Sequence, residues 1–332
     1  RILVTGGAGL IGSALIWALN CRGIDNILVA DFLGDSEKWK NLAPLRFHDY
    51  LEADDFQRRI SEKPSAFKNV RTVLHLGACS STLETDAAYL VRNNYEFTKC
   101  IAHWAVDRKM RMLYASSAAT YGALEKHLDD TCDLESLRPL NMYAFSKHRF
   151  DLYAKQTGLL DKITGLKYFN VFGPNEDHKG EMRSLVNKGF AQIKSSGLVK
   201  LFRSQRPEYR DGEQRRDFLY VKDAVDMTLH LAEHDALGVY NIGSGKAQTW
   251  LELVRPIFAA MQLPEQIEFI DMPAPLAAKY QYSTQASIER LRASGYDREV
   301  TPLGAAVGDY VKNYLIPDAR LDPQAAQSRK VN

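Results

Sequence analysis

Cysteine is scarce: Cys21, Cys79, Cys100 and Cys132 are the only four in 332 residues, with no Cys-x-x-Cys spacing and no histidine cluster beside them. Such scatter excludes a zinc-thiolate site and a disulfide framework, and leads us to expect reduced thiols in a cytoplasmic protein with no metal. An excess of charge of one sign is also missing, since 43 Lys and Arg face 41 Asp and Glu for a net +2, so there is no basic field for nucleic acid. No apolar run is long enough to span a bilayer, so no membrane partner is expected. The first residues already read as a strand, so no signal peptide is visible, and the missing initiator Met points to a few trimmed residues. No internal repeat is visible.

What remains is ordinary globular composition, 45% hydrophobic and 25% charged. Ile2 to Thr5 is a short β-branched run, followed at once by Gly6-Gly7-Ala8-Gly9-Leu10-Ile11-Gly12. A strand, a tight glycine turn and a helix in that order let the backbone approach a pyrophosphate at the positive end of the helix. A second apolar run, Ile27 to Ala30, ends at Asp31, close to the ~20-residue spacing at which an acidic residue meets an adenosine ribose. A dinucleotide is the expected ligand. Asp31 suits a free ribose hydroxyl, whereas Lys38 could neutralise an added phosphate, so the residues alone leave NAD and NADP open.

Tyr143-Ala-Phe-Ser-Lys147 places a phenol and an ammonium four residues apart, on one face of a helix. A neighbouring cation favours the phenolate, so we expect Lys147, with a nicotinamide charge, to acidify Tyr143. Ser116-Ser117 closes an apolar run at the carboxyl edge expected of a parallel sheet, where a serine hydroxyl can meet the reacting group.

Strand-like runs alternate with helical patterns: Val73 to Leu76 precedes a helix over 86–108, and Met112 to Ala115 precedes one over 142–156. This predicts an α/β chain with a parallel sheet covered on both faces. A single strand is expected over Leu166 to Asn170, with a boundary at Phe172-Gly173-Pro174. We therefore expect a nucleotide-binding domain over 1–172, with 218–248 returning to its sheet, and a smaller α+β substrate domain over 173–217 and 249–317. Asp318 to Asn332 lacks aromatic residues and is expected to be a flexible tail.

The glycine turn, Ser117, Tyr143 and Lys147, in that order, resemble the extended short-chain dehydrogenase/reductase superfamily, whose members act largely on nucleotide sugars; the likeness runs from Gly6 to about Tyr314. The resemblance implies a Rossmann-type doubly wound sheet in which Gly6, Gly9, Leu10, Ile11 and Gly12 cradle the pyrophosphate and Asp31 and Phe32 lie at the ribose. Asp49-Tyr50 would flank the adenine, and Leu76, Gly77, Ala78, Cys79, Ser80, Asn93 and Val171 would line the cofactor. Ser117, Tyr143 and Lys147 would be catalytic, with Lys147 also on the nicotinamide ribose.

Within the superfamily, Gly77-Ala78-Cys79-Ser80-Ser81-Thr82, Ala115 to Gly122, Tyr168 to Pro174 and His178-Lys179-Gly180 are similar to the ADP-glyceromanno-heptose 6-epimerase family, which inverts C6 of a heptose destined for lipopolysaccharide core. That likeness implies NADP, with Lys38 on its extra phosphate, an ADP-heptose substrate and a homo-oligomer. It also implies acid/base roles for Tyr143 and Lys179, since inversion wants a proton donor on each side of the carbon; Lys179 would need a lowered pKa and would also touch the cofactor. Ser117, Asn170, Glu181, Lys188, Phe202, Arg216 and Tyr280 fall where that family holds its substrate. Phe32 and Glu181 depart from its pattern, and the 203–216 stretch is longer than usual. A 4-epimerase would need Ser117, Tyr143 and Lys147 but not Lys179; a non-catalytic nucleotide-binding relative would be expected to have lost part of the triad.

Overall fold

The computed structural model describes residues 1–126, 128–277 and 280–326. Seven parallel strands form the main sheet: β1 (Ile2–Thr5), β2 (Ile27–Asp31), β3 (Asp49–Glu52), β4 (Thr72–His75), β5 (Arg111–Ser117), β6 (Thr164–Tyr168) and, after an excursion, β10 (Gly238–Ile242). Their order, β10-β6-β5-β4-β1-β2-β3, reverses direction of growth between β1 and β4, the doubly wound arrangement expected from the sequence. Neighbouring side chains on each strand serve opposite faces. Leu3, Leu28, Val73 and Met112 enter one buried cluster, while Val4, Val29, Leu74 and Leu113 enter another. Both faces are apolar because helices cover both.

On one face lie α1 (Leu10–Cys21) and α7 (Val221–Glu233), with Leu15, Ile16, Val225 and Leu229 sharing one core. The other face carries α2 (Ala53–Glu62), α4 (Phe97–Asp107) and α5 (Met142–Gln156). The helix expected over 86–108 is interrupted: α3 (Ala87–Leu90) runs into a widened i→i+5 segment, Val91–Glu96, before α4 begins. Wide turns of this kind often mark functional sites.

Two further sheets lie beyond the main one. The apolar run expected to form one strand breaks at Phe169, so that β6 ends at Tyr168 and β7 (Asn170–Phe172) begins a different sheet. That sheet has the order β11-β9-β7, with β9 (Arg215–Tyr220) parallel to β7 and antiparallel to β11 (Ala247–Thr249). The expectation that the 218–248 segment returns to the main sheet therefore holds for β10 and not for the strand at Phe218. The third sheet pairs β8 (Val199–Phe202) with β12 (Ile267–Ile270), and α6 (Leu185–Ser196) packs beside α8 (Trp250–Met261).

The expected flexible tail is corrected for residues 318–326. Leu321 is fully buried and its N–H donates to Asn175 Oδ1 at 3.1 Å, while Arg320 pairs with Asp177 at 3.2 Å. One apolar anchor and a few polar bonds hold a segment that has no periodicity of its own; residues 327–332 lie outside the described ones. Among the described residues no helix is long and apolar enough to cross a membrane.

Candidate active site

The carboxyl ends of β1, β2, β4, β5 and β6 converge on a cleft of about 440 Å³. Its floor is the glycine turn, where three backbone segments come too close for side chains. A Cβ on Gly12 would stand 2.1 Å from Gly6 O, and one on Gly6 2.6 Å from Gly77 N. Gly6 also has φ +66, in the left-handed region that favours glycine. Helix α1 starts at Gly9 with no side-chain cap, leaving its N–H groups for a ligand. The cradle thus fits a pyrophosphate, by its own geometry.

At the adenosine end, Asp31 is buried and densely bonded. Ala8 N–H donates to its Oδ2 at 2.7 Å, Phe32 N–H to its Oδ1 at 2.7 Å, and the Lys38 ammonium meets Oδ1 at 2.5 Å. Lys38 is therefore neither a free surface lysine nor free to serve a phosphate alone: it already neutralises Asp31. Tyr50 does not border the cleft but donates to Asp31 O at 2.7 Å and to Glu52 at 2.9 Å, and burial drives its phenol far above the ordinary range. Phe32 is 44% exposed and does not border the cleft.

Leu76, Ala78, Cys79 and Ser80 border the cleft, and Gly77 lies behind them with its N–H on Thr5 Oγ1 at 3.1 Å. Asn93 does not border the cleft, and neither does its neighbour Asn94. Asn94 is fully buried; its Oδ1 accepts from Cys79 N–H at 2.8 Å, and its Nδ2 donates to Cys79 O at 2.9 Å and to Ser146 Oγ on α5 at 3.0 Å. Asn93 only donates to Asn94 at 3.1 Å. The widened turn that holds both residues decides which of two identical side chains faces inward.

Ser117, Tyr143 and Lys147 all border the same cleft. Helix α5 starts cleanly because Asn141 caps Ala144 N–H at 2.8 Å, so Tyr143 and Lys147 lie one turn apart near its beginning. Lys147 Nζ donates to Ala115 O at 2.8 Å, and burial lowers its pKa to about 8. The expected acidification of Tyr143 by Lys147 does not occur among the chain's own groups. Burial raises the phenol pKa, a hydrogen bond with Ser117 opposes that, and Cys79 and Asp151 raise it further. Lys147 is not among the groups that act on the phenol, and its ammonium is turned to a strand carbonyl.

Beneath these residues lies a polar cluster that sequence reasoning missed. Asp151 and Lys167 are both fully buried and paired at 3.0 Å; Asp151 also accepts from Ser116 Oγ at 2.7 Å and Tyr114 OH at 2.9 Å. Lys167 further bonds Thr120, whose hydroxyl donates to Ser117 O at 2.7 Å. Strand β5, strand β6 and helix α5 are thereby tied together directly under Ser117.

Lys179 and Val171 border the cleft too, and both also border a second cavity of about 400 Å³ lined by Asn170, Lys188, Phe202, Trp250 and Tyr280. Lys179 is half-buried between the two, and burial lowers its pKa, with Glu176 opposing. Arg216 stands behind the second cavity rather than in its wall, stacked 4.8 Å from the Tyr280 ring and 5.8 Å from Trp250, which donates to Tyr280 OH at 2.8 Å. Glu181 borders neither cavity; it is exposed, and its carbonyl accepts from Lys188 at 3.1 Å.

Against this geometry, the model of the NAD dependent epimerase/dehydratase family matches residues 2–243. The chain belongs to that family. Among relatives of this epimerase/dehydratase, an ADP-L-glycero-D-manno-heptose-6-epimerase from Nitratidesulfovibrio vulgaris is 47% identical, over 97% of this chain and 99% of its own. One of the same name from Fusobacterium nucleatum is 43% identical, over 95% and 98%. The crystal structure of Helicobacter pylori ADP-L-glycero-D-manno-heptose-6-epimerase superimposes with a TM-score of 0.79 at 26% identity, covering 94% of this chain and 95% of that one. A UDP-N-acetylglucosamine 4-epimerase from Methanobrevibacter ruminantium shares the fold, with a TM-score of 0.80 at 22% identity over 96% and 99%.

Proposed function

We propose that this protein inverts C6 of ADP-D-glycero-D-manno-heptose to give ADP-L-glycero-D-manno-heptose, for lipopolysaccharide core heptose. The relatives' names support the substrate, and one observation carries the chemistry: Tyr143 from α5 and Lys179 from the loop after β7 border a single cleft. Gly6, Gly9, Gly12 and Asp31 would hold a tightly bound dinucleotide, which supplies the hydride acceptor and donor together with a positive charge that favours the Tyr143 phenolate. Tyr143 Oη, hydrogen-bonded to Ser117, takes the proton from the C6 hydroxyl. Once C6 is planar and the sugar end has turned, Lys179 Nζ returns a proton on the other side, and its lowered pKa suits that task. The second cavity, with Asn170, Lys188, Phe202 and Tyr280, holds the nucleotide diphosphate end, and Arg216 stiffens its aromatic wall.

NADP is the proposed form of the cofactor, because Lys38 already offsets the Asp31 charge that would repel its phosphate. We further propose the two-domain division with boundaries near 172, 218 and 248, a cytoplasmic location and a homo-oligomer. Exposed Tyr89 on α3 and Met142 and Phe145 on the adjoining α5 support self-association.

The test is C6 inversion, followed by NMR, with purified protein and no added cofactor, and mass analysis of the nucleotide released on denaturation. Tyr143→Phe and Lys179→Ala are each expected to lose about 100-fold or more in kcat. No inversion by the parent protein would overturn the proposal; unchanged turnover in Lys179→Ala would remove the second proton donor, and release of NAD alone would remove the NADP assignment.

A further inference from the structure

The loop that carries Lys179 is closed at its base by one buried carboxylate. Glu176 is fully buried, and its Oε2 accepts from Ser184 N–H at 2.7 Å while its Oε1 accepts from Ser184 Oγ at 2.5 Å, so residues 177–183 leave and return through a single side chain. Within the loop, Lys179 N–H donates to Glu176 O at 2.9 Å, and Gly180 turns the chain with φ +53. Ser184 is also the cap of α6, accepting from Asn187 N–H at 3.3 Å, so the same contact seats the helix against which the loop rests.

The loop is restrained elsewhere too, but among the described residues no hydrogen bond holds the Lys179 side chain. Asp177 accepts from Asn187 at 2.8 Å and pairs with Arg320; His178 meets Asn41 at 3.2 Å. Arg183 donates to Gly180 O at 2.8 Å and to Asn187 Oδ1 at 3.1 Å, and Lys188 holds Glu181 O. Lys38, Tyr143 and Lys147 border the cleft that Lys179 enters, and Tyr310 bonds Glu176 from the helix Leu303–Tyr310. Of these surrounding groups, the negative charge acting on the Lys179 ammonium is Glu176.

We infer that Glu176 is a positioning residue for the Lys179 loop: its carboxylate clamps the two ends of the loop, and its negative charge acts on the ammonium of Lys179, three residues further on. This rests on the proposed role of Lys179. The carboxylate accepts from the Ser184 N–H and hydroxyl and is bonded by Tyr310, contacts that an amide can keep only by turning a hydroxyl round, and its charge also opposes the desolvation of the neighbouring amine. Removing the charge lets desolvation of the amine act unopposed, so the lysine loses its proton at lower pH.

Glu176→Gln preserves the shape of the clamp and removes the charge. The expected result is a folded protein with unchanged affinity for the nucleotide sugar, whose alkaline limb of kcat/KM moves down by about one pH unit. The Lys179 resonance, in protein carrying isotope-labelled methylated lysines, should shift its midpoint by the same amount. Ser184→Ala keeps the charge and loosens the clamp; kcat should fall several-fold while the limb stays in place. An unmoved limb and midpoint in Glu176→Gln, or parental kcat in Ser184→Ala, overturns the inference. An active Lys179→Ala instead strikes the proposed function itself, whereas an inactive Lys179→Ala beside a parental Glu176→Gln profile defeats only the positioning role.

Discussion

Lys167 and Asp151 form an ion pair 3.0 Å apart with neither side chain reaching solvent, two helical turns below Tyr143 and directly beneath the Ser117 strand end. Every other bond of the pair goes to Ser116, Tyr114 or Thr120, so the cluster is satisfied from within. Breaking one partner leaves a buried charge with nothing opposite it. Lys167→Met should therefore cost about 3–5 kcal/mol in a denaturant titration. A double change of Lys167→Met with Asp151→Leu should recover much of that loss, and a Lys167→Met protein as stable as its parent would show that the pair contributes nothing.

Gly12→Ala is the smallest change that tests the cradle. The added methyl would meet Gly6 O at 2.1 Å, a backbone atom that cannot swing aside, so the turn must open. Overpacking of this kind costs about 1–3 kcal/mol, and the displaced turn lies where a pyrophosphate would sit. Purified Gly12→Ala should carry no bound nucleotide by absorbance while retaining the circular dichroism of an α/β fold. Nucleotide retained at parental occupancy would rule out this site for the pyrophosphate.

Asp130 should make stability depend on pH in the direction opposite to a salt-bridged carboxylate. It is buried, its Oδ2 accepts from Asn241 N–H at 2.7 Å, and its Oδ1 has no hydrogen-bond partner among the described residues. Burial raises its pKa from 3.8 to about 6. The folded state thus holds this proton more tightly than the unfolded chain. Its contribution to stability falls as pH rises from the unfolded value through the folded one, and the whole penalty is present above that window. Asp130→Asn should flatten this part of the profile and raise stability at neutral pH by about 1–3 kcal/mol. Urea unfolding at several pH values checks it; an unchanged slope through the window would mean that the carboxyl is not titrating there.

Much of the fold was legible because apolar strand runs and a glycine turn carry their own physics. Ile2 to Thr5 and Ile27 to Asp31 lie where their periodicity placed them, and Ser117, Tyr143 and Lys147 reach one cleft. What was not legible depends on contacts distant in sequence. The run from Leu166 to Phe172 has only Lys167 and Asn170 as polar residues and neither adjoins a glycine or proline, so nothing local marks Phe169 as the residue where the chain changes sheets. Asn93 and Asn94 are identical in chemistry, and only the widened turn selects the inner one. Glu176 and Lys167 read as ordinary charged residues because burial is a property of the assembled fold. The burial that raises the Tyr143 phenol pKa is likewise a property of the assembled fold.

The switch at Phe169 also bears on how the two cavities are joined. Its ring is buried, its N–H is held by Ile242 O at 3.0 Å, and a single residue separates the strand bearing Tyr168 from the one bearing Asn170. The two cavities that meet at Lys179 therefore also meet at this link, since Phe169 borders both of them.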